Sequence, residues 1–171
     1  MMASIAKQCV LASLAAGGFM LDAQGAWVAN LSSQQGPVAM VELPAPRGET
    51  RLAIFAFEYS RKCDPLFTYA VIRGRKFGTP EKQSLLPQSN IGGTINRKRY
   101  SGNNAAVVTT YSNGFEVGFG MPDEMAMAIA FDKVGSVSFI TPKGDEVLLP
   151  IDGLRTAVDK AIEACVSKMQ P

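Results

Sequence analysis

From Leu154 to Met169 the apolar residues Leu154, Ala157, Val158, Ala161, Ile162, Cys165, Val166 and Met169 recur at three- and four-residue spacing. That period lays one apolar stripe along a helix, with Arg155, Asp159, Lys160, Glu163 and Lys168 on the other side. The predicted helix spans 152–169, with Asp152 as its N-cap. A helix with a single apolar face must cover something, and the sheet read from the strands before it is the only large partner available. The sequence therefore predicts an α+β domain: an antiparallel sheet of about seven or eight strands carrying a short helix and this C-terminal helix.

Runs rich in β-branched and aromatic residues predict strands near 26–33, 38–43, 51–59 and 66–74, and again near 93–100 and 105–112. The last two are read as a pair joined by Ser101-Gly102-Asn103-Asn104. Asn113-Gly114, between Val107–Tyr111 and Phe115–Phe119, is the strongest hairpin signal, because both residues accept the positive φ of a type I′ turn. Residues 75–92 contain Gly78, Pro80, Pro87 and Gly92 without a clear period and predict a long loop. Pro122-Asp123-Glu124 places proline and two acids where a helix begins, and a short helix is expected over 122–133, stopped by Gly135. Strands 136–141 and 146–150 follow, linked by Pro142-Lys143-Gly144-Asp145.

The front of the chain has a different texture. Lys7 precedes thirteen small or apolar residues, Cys9 to Leu21, and Ala23-Gln24-Gly25 supplies small residues at the −3 and −1 positions of a cut before Ala26. That run is shorter than the about 20 residues a membrane-spanning helix needs, and it has the layout of a secretory signal peptide over 1–25. The expected mature chain, 26–171, is a single domain of 146 residues in the periplasm or outside the cell. It retains Cys63 and Cys165, an even pair that in an oxidising compartment predicts one disulfide. The loop so closed is about a hundred residues, which the chain-entropy account values at about 4–5 kcal/mol.

The chain contains no histidine. This excludes Ser-His-Asp and Cys-His nucleophile pairs and zinc sites built on imidazole. The carboxylates have structural duties: Asp123 and Glu124 start a helix, Asp145 and Glu146 occupy a turn, and Asp152 caps. They predict no acid pair of the glycosidase kind. Met121, Met125 and Met127 are the thioethers closest in sequence, but 125 and 127 face different ways on a helix, so they read as core filler rather than a copper(I) site. Asn30-Leu31-Ser32 matches a glycosylation sequon by its three residues alone. No catalytic residue, metal site or cofactor is read from the sequence.

Charge is uneven although the net value is only +2. Residues 61–99 hold nine cations against Asp64 and Glu81, a local +7, while 114–171 hold nine acids against five bases. Within the basic stretch, Arg73, Arg75, Lys76, Arg97, Lys98 and Arg99 are the candidate binding residues for an anionic partner. Arg97-Lys98-Arg99 is expected on a strand, with Lys98 opposite to the two arginines.

The block from Asp123 to Cys165 runs helix, strand, Pro-Lys-Gly-Asp turn, strand, then Leu149-Pro150-Ile151-Asp152-Gly153-Leu154-Arg155-Thr156-Ala157 and a helix carrying the late cysteine. It resembles the C-terminal part of small exported bacterial proteins of the invasion-associated locus B type, and it is similar to the type VI secretion accessory proteins called VasI. The resemblance implies an envelope or secreted accessory domain without catalytic residues, and neither family supplies site residues for this chain. The leading expectation is an exported, non-enzymatic binding protein whose partner is another envelope or secreted protein with an acidic face, with no nucleic acid involved. An inhibitor or immunity protein that plugs an enzyme cleft with loop 75–92 or the tip Ser101–Asn104 is the alternative, and a carboxylate-based hydrolase a third.

Overall fold

In the computed structural model, residues 25–87, 92–101, 106–121, 123–131, 133–141 and 144–170 are described. The proposed signal segment lies outside them, apart from Gly25. Eleven strands and two α-helices are present among these residues. The strands are β1 (Val28–Asn30), β2 (Val38–Leu43), β3 (Glu49–Phe57), β4 (Pro65–Arg73), β5 (Pro80–Leu86), β6 (Gly92–Ile95), β7 (Lys98–Ser101), β8 (Ala106–Tyr111), β9 (Gly114–Gly120), β10 (Val137–Ile140) and β11 (Glu146–Leu149). The helices are α1 (Asp123–Phe131) and α2 (Leu154–Met169). The α+β class, the antiparallel sheet and both helices stand as expected.

Seven strands form the large sheet in the order β1-β2-β3-β4-β9-β8-β5, all antiparallel. The other four form a second sheet, β11-β10-β6-β7. Phe139 of β10 carries the contact between them: its ring lies 5.2 Å from that of Phe67, 5.1 Å from Tyr69 and 5.9 Å from Phe119. Phe55 continues the aromatic run from Phe67 to Trp27, with centroids 4.9 and 5.1 Å apart. Each such pair adds about 0.5–1.5 kcal/mol beyond the area it buries.

Helix α2 lies over β1, β2 and β3 on the same face of the large sheet. Its buried residues are Leu154, Ala157, Val158, Ala161 and Cys165, five members of the predicted stripe. Cys165 is bonded to Cys63, whose Cα is 6.0 Å away in the turn that follows a 3₁₀ segment, Tyr59–Arg61. The predicted disulfide is present, and it fastens α2 to the turn between β3 and β4.

Several expectations are corrected. Residues 75–92 are not one long loop, since β5 occupies 80–86 and pairs with β8. β5 is exposed along most of its length, so nothing imposes a hydrophobic period on it. Residues 93–100 are not one strand either. They fold back on themselves as β6 and β7 around Asn96 and Arg97, whose φ values of 50° and 68° make a two-residue turn. The segments 93–100 and 105–112 therefore belong to different sheets rather than forming a hairpin, and 102–105 lie outside the described residues. The end of the predicted strand 51–59 turns into the 3₁₀ segment instead.

A further correction concerns the start of α2. Gly153, at φ 71°, takes the N-cap place expected for Asp152 and offers no side-chain cap. The reason is Trp27. Its backbone N–H donates to the Asp152 carbonyl at 3.0 Å and its indole Nε1–H donates to the Pro150 carbonyl at 2.6 Å. A Cβ on residue 153 would stand 2.9 Å from the Trp27 carbonyl oxygen, so glycine serves both the turn and the close approach.

Candidate binding surfaces

The six predicted basic residues do not form one face. Arg73 ends β4, and Arg75 and Lys76 follow it at one end of the large sheet. Arg97 sits in the turn of the small sheet, while Lys98 and Arg99 start β7. Lys98 and Arg99 point to opposite sides of that strand, and the Lys98 ammonium lies 5.0 Å from the centre of the Tyr100 ring. Arg97 is thus displaced from the strand on which the sequence placed it, because the chain reverses there.

Local structure holds each group firmly. At the small-sheet tip Asn96 accepts from the Gly135 N–H at 2.8 Å and donates to the Lys133 carbonyl at 2.9 Å, tying the turn to the chain after α1. At the large-sheet end Asn113 plays the same part. Its Nδ2 donates to the carbonyls of Arg73 and Lys76, each at 2.8 Å, and its Oδ1 accepts from the Gly78 N–H at 2.7 Å. The hairpin recognised in the sequence is present, with Ser112-Asn113 as its turn and without the positive φ expected of Asn113 and Gly114. Its Asn113 also fixes the basic segment 73–78.

Arg75 is not a free cation. Its Nη1 donates to both carboxylate oxygens of Glu42 at 2.8 Å, and the Glu42 side chain is only 9% exposed. Register places Glu42 in a row across the sheet, Glu42–Leu52–Ala70–Glu116–Thr109–Gln83. Glu116 is the second buried carboxylate of that row. Burial raises its pKa, and the hydroxyls of Tyr111 and Thr109 beside it pull the pKa partly back. Its Oε2 finds no partner with hydrogen-bond geometry among the described residues. Sequence reading missed both acids, because an acid inside a strand gives no local sign of the row it joins.

Burial also raises the pKa of Glu58, against the opposing effects of Arg61 and the Ser60 hydroxyl. Glu58 and Glu116 do not make a working pair. Glu58 follows the Phe57–Pro65 pairing, whereas Glu116 faces Ala70. Five residues of β4 separate these positions, about 16 Å at strand spacing. Glu42 and Glu116 are three strands apart, about 14 Å. Both separations exceed the carboxylate spacing of glycoside hydrolysis.

Among the described residues no group of three or more His, Cys, Asp or Glu side chains is arranged to hold a metal ion. Met121 and Met125 are buried whereas Met127 is exposed, so the three thioethers do not converge. On the outer face of the small sheet Thr94, Ser138 and Glu146 share hydrogen bonds, with the Ser138 hydroxyl donating to Glu146. That bond spends the serine proton on a structural carboxylate. No helix among the described residues is long and apolar enough to cross a membrane.

Comparison with known proteins finds no match to a family model, to a curated protein or to a solved structure.

Proposed function

We propose that this chain is an exported, non-enzymatic binding protein of the bacterial cell envelope, periplasmic or secreted, that serves a secretion or invasion apparatus as an accessory. The observation that carries the reading is the Cys63–Cys165 bond. Such bonds persist in oxidising compartments, and this one makes the sheet and its terminal helix a rigid scaffold. The signal-like residues 1–25, the absence of histidine and the resemblance of the block from Asp123 to Cys165 support it as well.

The proposed partner is an envelope or secreted protein with an acidic face, met by the small-sheet tip at Arg97, Lys98 and Arg99. The turn at Asn96-Arg97 fixes the backbone before any partner arrives, so only side-chain freedom is lost on binding, which suits recognition. The inhibitor reading rested on loop 75–92 and the tip Ser101–Asn104. β5 takes seven residues of the first, and most of the second lies outside the described residues.

Mass spectrometry of the native protein is expected to show a chain starting at Ala26 with no free thiol. Immobilised protein is expected to retain an acidic partner from periplasmic extract, with R97E/R99E lowering retention at least tenfold. An intact N-terminus with two free thiols removes the export reading. Retention indifferent to the double reversal removes the tip.

A further inference from the structure

We propose that a basic pole at one end of the large sheet, formed by Arg47, Arg73 and Lys76, binds the phosphate headgroups of anionic phospholipid and lays that end of the domain against a membrane surface. The pole is a tertiary construction. Pairing of Leu43 with Arg51, Glu49 with Arg73 and Ile72 with Gly114 brings three connections to the same end: 44–48, 74–79 and the Ser112-Asn113 turn. Arg47, Arg73, Arg75 and Lys76 are all exposed there. Arg47 lies outside the basic stretch 61–99, so charge counted along the chain leaves it out.

The local charge does not cancel. Arg51 is paired with Glu49 and Arg75 with Glu42, while Glu81 and Lys82 at the start of β5 offset one another. Arg47, Arg73 and Lys76 have no ion-pair partner among the described residues, a local +3. Their backbone is fixed before any ligand arrives. The Gly74 N–H donates to the Gly48 carbonyl at 2.7 Å, the Thr50 hydroxyl donates to the Gly74 carbonyl at 2.7 Å, and Asn113 holds Arg73 and Lys76.

The shape and composition of the pole select the partner. It is a tip made of turns rather than a cleft, so it meets a plane more readily than a protruding segment. Among the described residues, none of the exposed large apolar side chains lies in the three connections. A protein interface draws most of its affinity from an apolar or aromatic anchor. The one aromatic of the three connections, Phe77, is half-buried and packed on the Tyr111 ring and the second core cluster instead of projecting. An anionic lipid surface needs no such anchor, because each nearby cation contributes about fivefold in partitioning by charge alone. Guanidinium forks suit phosphate oxygens. This inference is independent of the protein-binding tip at Arg97–Arg99.

The test is co-sedimentation of the disulfide-intact chain with vesicles. Partitioning is expected into mixed phosphatidylcholine–phosphatidylglycerol vesicles and not into phosphatidylcholine alone, and added salt is expected to weaken it. R47E/R73E/K76E is expected to lower partitioning about a hundredfold or more, with its circular dichroism unchanged because the three side chains are exposed. R97E/R99E, which tests the protein-binding tip, is expected to leave partitioning as it was. Absence of partitioning, or indifference to the triple reversal, overturns the proposal. Displacement from the vesicles by polyglutamate at matched charge overturns the lipid assignment and makes the pole an acidic-protein site. Loss of the tip's protein partner with vesicle binding intact overturns only the earlier reading.

Discussion

The two faces of the large sheet are both buried, but they are built from different materials. The first carries Phe55, Phe67, Tyr69, Val117 and Phe119, and it is covered by α1, α2 and the small sheet. The second carries Val38, Met40, Leu52, Ile54, Ala56, Leu66 and Ala70 in one cluster, beside Thr50, Thr68, Thr109, Glu42 and Glu116. Large rings that interdigitate hold the layers of the first face together. Aliphatic side chains and buried polar groups make the second, where Arg75 pairs the Glu42 carboxylate and Glu116 Oε2 is left without a partner among the described residues. Mutational cost on the first face should therefore follow volume, and on the second it should follow charge.

The sharpest separation is expected from volume. Phe67 touches the rings of Phe55, Phe119 and Phe139, so Phe67→Ala should cost about 3–5 kcal/mol. Ile54→Val, in the other cluster, should cost about 0.5–1.5 kcal/mol. Urea-unfolding midpoints at constant m-value measure both. Equal losses per carbon atom removed would erase the distinction between the faces.

Next in size is Arg75→Ala. The side chain it removes is mostly exposed, so little packing is lost, but it leaves the Glu42 carboxylate nearly buried without its cation. The expected loss is about 1–2 kcal/mol, with most of it recovered in the double variant E42Q/R75A. A double-variant cycle that shows no coupling would mean that the pair is ornamental to the second face.

The smallest effect concerns Glu116. Burial sets its folded pKa above the ordinary 4.5, so the folded state holds that proton more tightly than the unfolded state does. Stability linked to Glu116 is then complete below the ordinary value and is lost as pH rises through the raised one. Glu58 acts in the same direction. Glu116→Gln should flatten this pH dependence in part and add about 1 kcal/mol at neutral pH, which corresponds to a rise in Tm of about 3 °C. A variant whose stability falls with pH as steeply as the parent's would acquit Glu116.

What the sequence discloses and what it hides divide along the same physical line. The stripe from Leu154 to Cys165 and the cysteine pair are a local pattern and simple arithmetic, and both are present where expected. The hairpin signalled by Asn113-Gly114 is present too, but its turn is Ser112-Asn113, Gly114 opens β9, and neither Asn113 nor Gly114 takes the positive φ of the expected type I′ turn. β5 is hidden because Pro80-Glu81-Lys82-Gln83-Ser84 is polar and meets solvent on both sides. Only its ladder with β8 makes it a strand. The turn at Asn96-Arg97 is hidden because arginine stands where a two-residue turn normally shows glycine. The cap of α2 depends on Trp27, more than a hundred residues upstream. The basic residues themselves were legible as residues, but their division between two sheets, and the arrival of Arg47 beside Arg73, depend on strand register alone.

The small sheet has a consequence for the order of events in folding. β6 and β7 form a hairpin by themselves, but β6 pairs next with β10, about forty residues further along the chain. An isolated two-stranded hairpin is barely stable in water. The tip that displays Arg97 therefore acquires its final shape late, once the chain through Ile140 has been delivered, and loop closure over that span slows its assembly. A chain cut short before β10 would keep the residues of the tip and lose the platform that aims them.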